Sequence, residues 1–255
     1  MTDQSEVPLT GGSMTAVVRV RDTVRRTAGP WTPAVHALLR HVRAEGFTQV
    51  PEPRGLDEQG REVLSLLDGE AATYPLPPFV LTDATLTAVA RLVRAYHEAA
   101  STFAIPDGAV WQWPAHEPQE LVCHNDIAPY NLIFDRTAIV GVIDWDLASP
   151  GPRTWDLAEA AYRFVPLTGP DNPDVGCPGV AEQARRLALF CAGYGRVAPA
   201  QIVEAAIAKE RELAEWIMAC AAAGDPAQQA VLERGDVAIY EHDIAHLETQ
   251  RHALA

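Results

Sequence analysis

The sequence predicts an α+β protein with a small N-terminal lobe built on a sheet and a larger, mostly helical C-terminal lobe. Three observations carry this expectation. Short apolar runs broken by turn dipeptides fill the early part of the chain, and a proline-rich connector, "YPLPPFVL" at 74 to 81, follows them. Beyond the connector, apolar residues recur at the spacing that lines one face of a helix. The expected boundary gives an N-terminal lobe over 1–74 and a C-terminal lobe over 75–255.

Each element has its own grounds. Residues 6 to 27 read as short strands, separated by a Gly-Gly-Ser turn and an Arg21-Asp22 turn. Residues 33 to 44, "PAVHALLRHVRA", read as an amphipathic helix with Thr32 as its cap. Pro33 falls in the first turn, where its missing N–H forfeits no helical bond. "REVLSLL" at 61 to 67 reads as a strand. Residues 83 to 102 read as one helix, with Leu86, Val89, Leu92, Val93 and Tyr96 on one face. Further helices are expected over 154–164, 180–194, 199–223 and 226–249, with a loop at 165–179 between the first two. There is no internal repeat and no low-complexity tract.

Composition narrows the function. A chain of 255 residues, 48% hydrophobic, can bury a sizeable core. No apolar run reaches the roughly 18 residues of a membrane-spanning helix. "MTDQSEVPLT" lacks the basic and apolar regions of a signal peptide. The four cysteines, Cys123, Cys177, Cys191 and Cys220, form no CxxC. A reduced, cytoplasmic setting without a zinc site is therefore expected. A net charge of −14 argues against a nucleic-acid partner, which calls for a basic footprint. It suits a cationic small molecule, and equally an acidic solvated surface. Residues 198 to 255 carry ten acidic groups against four basic ones, and the same two readings apply there. Lys209 is the only lysine, so no lysine elsewhere can serve the chemistry. Nothing in the sequence speaks to oligomeric state.

The densest polar cluster is "VCHNDIAPYNLIFD" at 122 to 135. After it, "NLIF" and "AIVGVID" are two apolar runs joined by the turn "DRT", an apparent hairpin. Asn131 stands at one end of this hairpin and Asp144 at the other. Antiparallel strands bring those ends together, and Asp126 lies on the loop leading in. Three oxygen-bearing side chains thus converge. Asn and Asp oxygens suit a hard cation such as Mg²⁺, which takes few protein ligands and keeps substrate phosphates in its shell. Asp126 is left to accept a proton from an attacking hydroxyl. Pro129 and His124 would shape the loop.

These residues resemble a known family. "HNDIAPYN" looks like the catalytic loop of the aminoglycoside phosphotransferase-like kinases, relatives of the protein kinases. "VIDWD" looks like their metal-binding segment, and "GPRTWDLAEAAYRF" like the helix-opening segment that follows. The motifs occur in family order over residues 122 to 164. The resemblance implies a bilobal protein-kinase-like fold with ATP and Mg²⁺ as cofactors. It assigns Asp126 as catalytic base, with His124 and Asp156 supporting the catalytic loop, and Asn131 and Asp144 as metal ligands. "GGSMTAVV" looks like the nucleotide-covering loop, with Gly11, Gly12 and Ser13 over the phosphates. Backbone groups from Ser65 to Leu67 would meet the adenine.

The chain departs from the pattern in three places. The family's glycine between His and Asp is Asn125. Its strand lysine is missing, so Arg25 or Arg26 must hold the phosphates. A two-residue turn at Arg21-Asp22 pairs Val20 with Thr23 and Val18 with Arg25, and paired residues share a face. That puts Arg25 on the face of Val18 and Val20, expected to pack against the base, and makes Arg25 the expected contact. The helix glutamate that should hold this cation is also absent, since no Asp or Glu occurs from residue 23 through 44. Two functional classes follow. One is an ATP-dependent small-molecule kinase acting on a hydroxyl of an aminoglycoside-like, antibiotic-type cation. The other is a catalytically weak nucleotide-binding or toxin-immunity relative.

Overall fold

A computed structural model describes residues 6–9, 17–195 and 197–255. In chain order its first elements are the strands Val7–Pro8 (β1), Val18–Val20 (β2) and Thr23–Arg26 (β3), the helix Thr32–Ala44 (α1), and the strands Pro53–Leu56 (β4), Glu62–Ser65 (β5) and Glu70–Ala71 (β6). The helix Asp83–Ala100 (α2) follows, then the strands Leu121–Cys123 (β7), Leu132–Asp135 (β8), Ala138–Val142 (β9) and Ser149–Gly151 (β10). The rest is helical: Arg153–Phe164 (α3), Val180–Tyr194 (α4), Pro199–Ala222 (α5), Pro226–Glu233 (α6) and Asp236–Leu254 (α7). The α+β expectation, sheets early and helices late, is met. No helix among the described residues is long and apolar enough to cross a membrane.

The chain forms two compact units. One comprises the residues up to Thr73 together with Leu92–Arg153, the other Tyr74–Arg91 together with Thr154–Ala255. The division falls inside α2.

The first unit holds the sheets. The largest has the order β1-β2-β3-β5-β4, with neighbours antiparallel. The β2–β3 hairpin has the expected register, Val20 opposite Thr23 and Val18 opposite Arg25. Arg21 takes the positive φ of 57° that a two-residue hairpin turn needs. β4 carries Pro53 and Gly55, poor strand formers, which is why no strand is legible there. Thr32 is the first residue of α1 rather than its cap: the preceding position is Trp31, and the Thr32 hydroxyl accepts from Gly29 N–H at 2.9 Å. Val35, Leu38, Leu39 and Val42 make the buried face of α1. The expected hairpin is β8–β9, with Leu132 opposite Val142 and Asp135 opposite Ala138. Gly141 has to be glycine, because a Cβ there would stand 2.7 Å from the Gln49 carbonyl oxygen.

The second unit is built on α3 to α7. Ala214, Ile217 and Val237 form an apolar cluster with Trp216, Val231 and Tyr240 packed against it. The single helix expected over 226–249 is two helices, because Gly235 adopts a φ of 87° between α6 and α7. The loop 165–179 is tied down. Asp243 accepts from Gly169 N–H at 2.6 Å and from the Asn172 amide at 2.7 Å, and Gln183 donates to the carbonyls of Pro166 and Thr168 at 2.8 Å. Lys209 is buried, 3.7 Å from Glu159.

Candidate active site

The polar cluster lies wholly in the first unit, on the loop between β7 and β8. His124 is completely buried and locked on both ring nitrogens. Its Nδ1 accepts from Asp126 N–H at 3.1 Å, so the ring proton is on Nε2, which donates to the Ile143 carbonyl at 3.0 Å. Trp145 packs edge-on against this ring, with centroids 4.5 Å apart. Ile143 is gripped again by its own N–H, which donates to the Asn131 carbonyl at 2.9 Å. The two grips fix the chain just before Asp144, which takes a φ of 63°.

Asn125 shows why the family's glycine can be replaced. Its φ is 69°, a left-handed conformation that Asn tolerates better than most residues. Its amide then donates to the Leu147 carbonyl and the Ser149 hydroxyl, both at 2.8 Å, tying the loop to the segment after Asp144. The Asp126 carboxylate is oriented from two sides. The Tyr130 hydroxyl donates to Oδ1 at 2.9 Å, and the Asn131 amide donates to Oδ2 at 2.7 Å and to the Asp126 carbonyl at 3.0 Å. Tyr130 was not singled out in the sequence; its place four residues after Asp126 on the same loop was the available signal.

The cation beside this site is Arg26. Its Nη1 donates to Asp144 Oδ1 at 2.9 Å, its Nη2 meets Asp146 Oδ2, and its Nε lies 3.0 Å from Glu62 Oε2. The Nε–Glu62 contact is an ion pair without hydrogen-bond alignment. Burial opposes the Arg26 charge, but Asp144, Asp146 and Glu62 outweigh it and hold the guanidinium above its ordinary value. Asp146 also accepts from Trp31 Nε1 at 2.8 Å. Burial pushes the Asp146 carboxyl up to about 6 against the pull of Arg26. Arg25, the expected contact, points elsewhere: it donates to the Thr23 hydroxyl at 2.5 Å and lies 3.6 Å from Asp57. The register is the expected one, and the arginine that meets Asp144 and Asp146 is Arg26 rather than Arg25.

Ser65 N–H donates to the Glu52 carbonyl and Leu66 N–H to the Asp22 carbonyl, both inside the first unit, while Leu67 packs near Gly141. Asp156 is fully buried in the first turn of α3, in the second unit. Gly11, Gly12 and Ser13 lie outside the described residues. Glu62 and His36, 2.8 Å apart beside Arg26, were missed.

The donor set suits a hard cation. Asp144 keeps its carboxylate 49% exposed, and Asn131 spends its amide N–H groups on Asp126, leaving its side-chain oxygen as the acceptor. No group of three or more His, Cys, Asp and Glu side chains able to hold a metal occurs among the described residues. One carboxylate and one amide oxygen are what Mg²⁺ takes when phosphates and water complete its shell.

The α+β fold is protein-kinase-like. Residues 108–176 match the model of the phosphotransferase enzyme family. A trifolitoxin immunity protein from Rhizobium leguminosarum bv. trifolii is 34% identical over 197 residues, covering 74% of this chain and 74% of that protein. The chain belongs to this phosphotransferase family. Its fold is shared with a spectinomycin phosphotransferase solved with ADP and spectinomycin, at a TM-score of 0.62 and 11% identity over 98% of this chain and 93% of that one. A choline/ethanolamine kinase family protein from Mesorhizobium loti has a TM-score of 0.58 at 15% identity, over 96% of this chain and 92% of that one.

Proposed function

We propose that the chain transfers the γ-phosphoryl group of ATP to a hydroxyl of a small, cationic, antibiotic-type molecule in the cytoplasm. The observation that carries this reading is the orientation of Asp126. Its carboxylate is held by Tyr130 and Asn131 on a loop that His124 fastens to the residue beside Asp144. A base held in this way can take the acceptor's proton as its oxygen attacks, the requirement of general-base catalysis. The new O–P bond forms to the γ-phosphorus, the bond to the β,γ-bridging oxygen breaks, and ADP leaves with that electron pair. Asn131 and Asp144 would hold Mg²⁺, which when bound neutralises charge on the phosphate oxygens. Arg26 would hold the phosphates through its planar fork. A fold neighbour solved with ADP supports the nucleotide. The net charge of −14 supports a cationic acceptor.

One observation favours a second reading. The relative at 34% identity is an immunity protein, which suits a chain that protects by binding a toxin without transferring phosphate. Incubating the protein with γ-labelled ATP, Mg²⁺ and a panel of aminoglycosides, aminocyclitols, amino alcohols and peptide toxins separates the two. Label on an acceptor supports the kinase reading. Toxin binding with label release at background supports the second.

A further inference from the structure

The family's strand cation is held by a glutamate on the following helix, and here residues 23 to 44 contain no acidic residue. A long guanidinium serves a phosphate well only if it is held in place beforehand. The carboxylate comes from the sheet instead. Arg26 on β3 stands directly opposite Glu62 on β5, and directly opposed residues project from the same face. Both side chains are nearly excluded from water, at 8% and 4% exposure.

Each Glu62 oxygen has its own task. Oε2 faces Arg26 Nε at 3.0 Å, and Oε1 faces His36 Nε2 at 2.8 Å. A carboxylate only accepts, so His36 is the donor. His36 is a buried residue of α1. The helix thus supplies a brace for the carboxylate rather than the carboxylate itself. A glutamate at position 36 would set two buried anions side by side, which is costly. Asp144 and Asp146 also touch Arg26, but they sit on the segment proposed to serve the metal, and Asp144 is half exposed. Glu62 is the fixed partner.

We infer that Glu62, braced by His36, is the positioning residue that holds Arg26 for the nucleotide phosphates. This rests on the kinase reading of the site. The test is titration calorimetry of the full chain with MgATP and, separately, adenosine, each variant also being melted to show that it is folded. Arg26→Ala should weaken MgATP roughly tenfold or more, the scale of a lost hydrogen bond to a charged group, and leave adenosine unchanged. Glu62→Gln should weaken MgATP severalfold, again sparing adenosine. His36→Ala should do likewise, and His36→Gln, which keeps a donor, should recover most of the loss. A merely structural role would lower the melting temperature without changing the ratio of the two affinities. A wild-type ratio in folded Glu62→Gln overturns the inference while leaving the kinase reading intact. If Glu62→Gln does not fold, a wild-type ratio in His36→Ala overturns it. An unchanged ratio in Arg26→Ala, or no MgATP binding by the wild type, overturns the phosphate reading itself.

Discussion

Arg25 and Arg26 are adjacent in the chain and live in opposite environments. Arg26 meets Asp144, Asp146 and Glu62, whereas Arg25 meets Thr23 and Asp57. The hairpin register, and with it the knowledge that Arg25 shares a face with Val18, was readable from a two-residue turn. Which face meets the carboxylates depends on what packs over the sheet, and strand alternation does not encode that. Arg26→Ala should abolish most nucleotide-dependent turnover while Arg25→Ala leaves it near wild type; steady-state rates of the two variants check this, and the reverse order would mean that the Arg25 face is the working one. Asp144 gives a second expectation. Asp144→Ala should weaken nucleotide binding measured with Mg²⁺ more than binding measured without it, because the charge removed is the one that would face the cation. Equal losses in the two titrations would mean that Asp144 is not a ligand.

Among the elements, the β8–β9 hairpin was legible because everything that defines it is local: two apolar runs, a short turn, and polar residues at the ends that must meet. The backbone pairing of Asn131 with Ile143, the residue before Asp144, followed from it. Glu62 and His36 were not legible, because the contact of Glu62 with Arg26 depends on β3 pairing with β5, strands far apart in sequence, and His36 in turn pairs with Glu62. The break at Gly235 was hidden because apolar spacing continues across it, and only the glycine's positive φ separates α6 from α7. In the second unit α5 buries Glu210 completely, and neither of its carboxyl oxygens finds a hydrogen-bond partner among the described residues. Burial, with Glu159 and Asp243 adding to it against the pull of Arg163 and Lys209, raises this carboxyl from the ordinary 4.5 to about 8. Between those values the folded chain binds a proton that the unfolded chain releases. The contribution is therefore fully present below the lower value and is lost as pH rises toward the upper one. Glu210→Gln, neutral at every pH, should flatten the fall in denaturation midpoint between about pH 5 and pH 8. An unchanged slope in the variant would show that Glu210 is already ionised in the folded protein.

For the whole molecule, the fold class was legible because strand-length and helix-length periodicities occupy different parts of the chain. Each of the two compact units draws on two separate stretches of chain, with α2 divided between them, and apolar periodicity carries no signal of that. The acidity of the chain acts at this scale. If its net charge of −14 attracts a cationic acceptor, the acceptor's affinity should fall as salt rises, since exposed charges are screened over about 10 Å at 0.1 M. A flat profile would return those carboxylates to solubility alone. We propose that this member of the phosphotransferase family moves phosphate with Asp126 as its base. The most direct measurement is single-turnover transfer of γ-labelled phosphate from ATP to an acceptor found in the panel, comparing wild type with Asp126→Asn. A labelled product is expected from the wild type, with a rate lower by roughly 10²–10⁴ in the variant and MgATP affinity little changed. Equal rates in the two proteins, or no labelled product from the wild type with any acceptor, would contradict it.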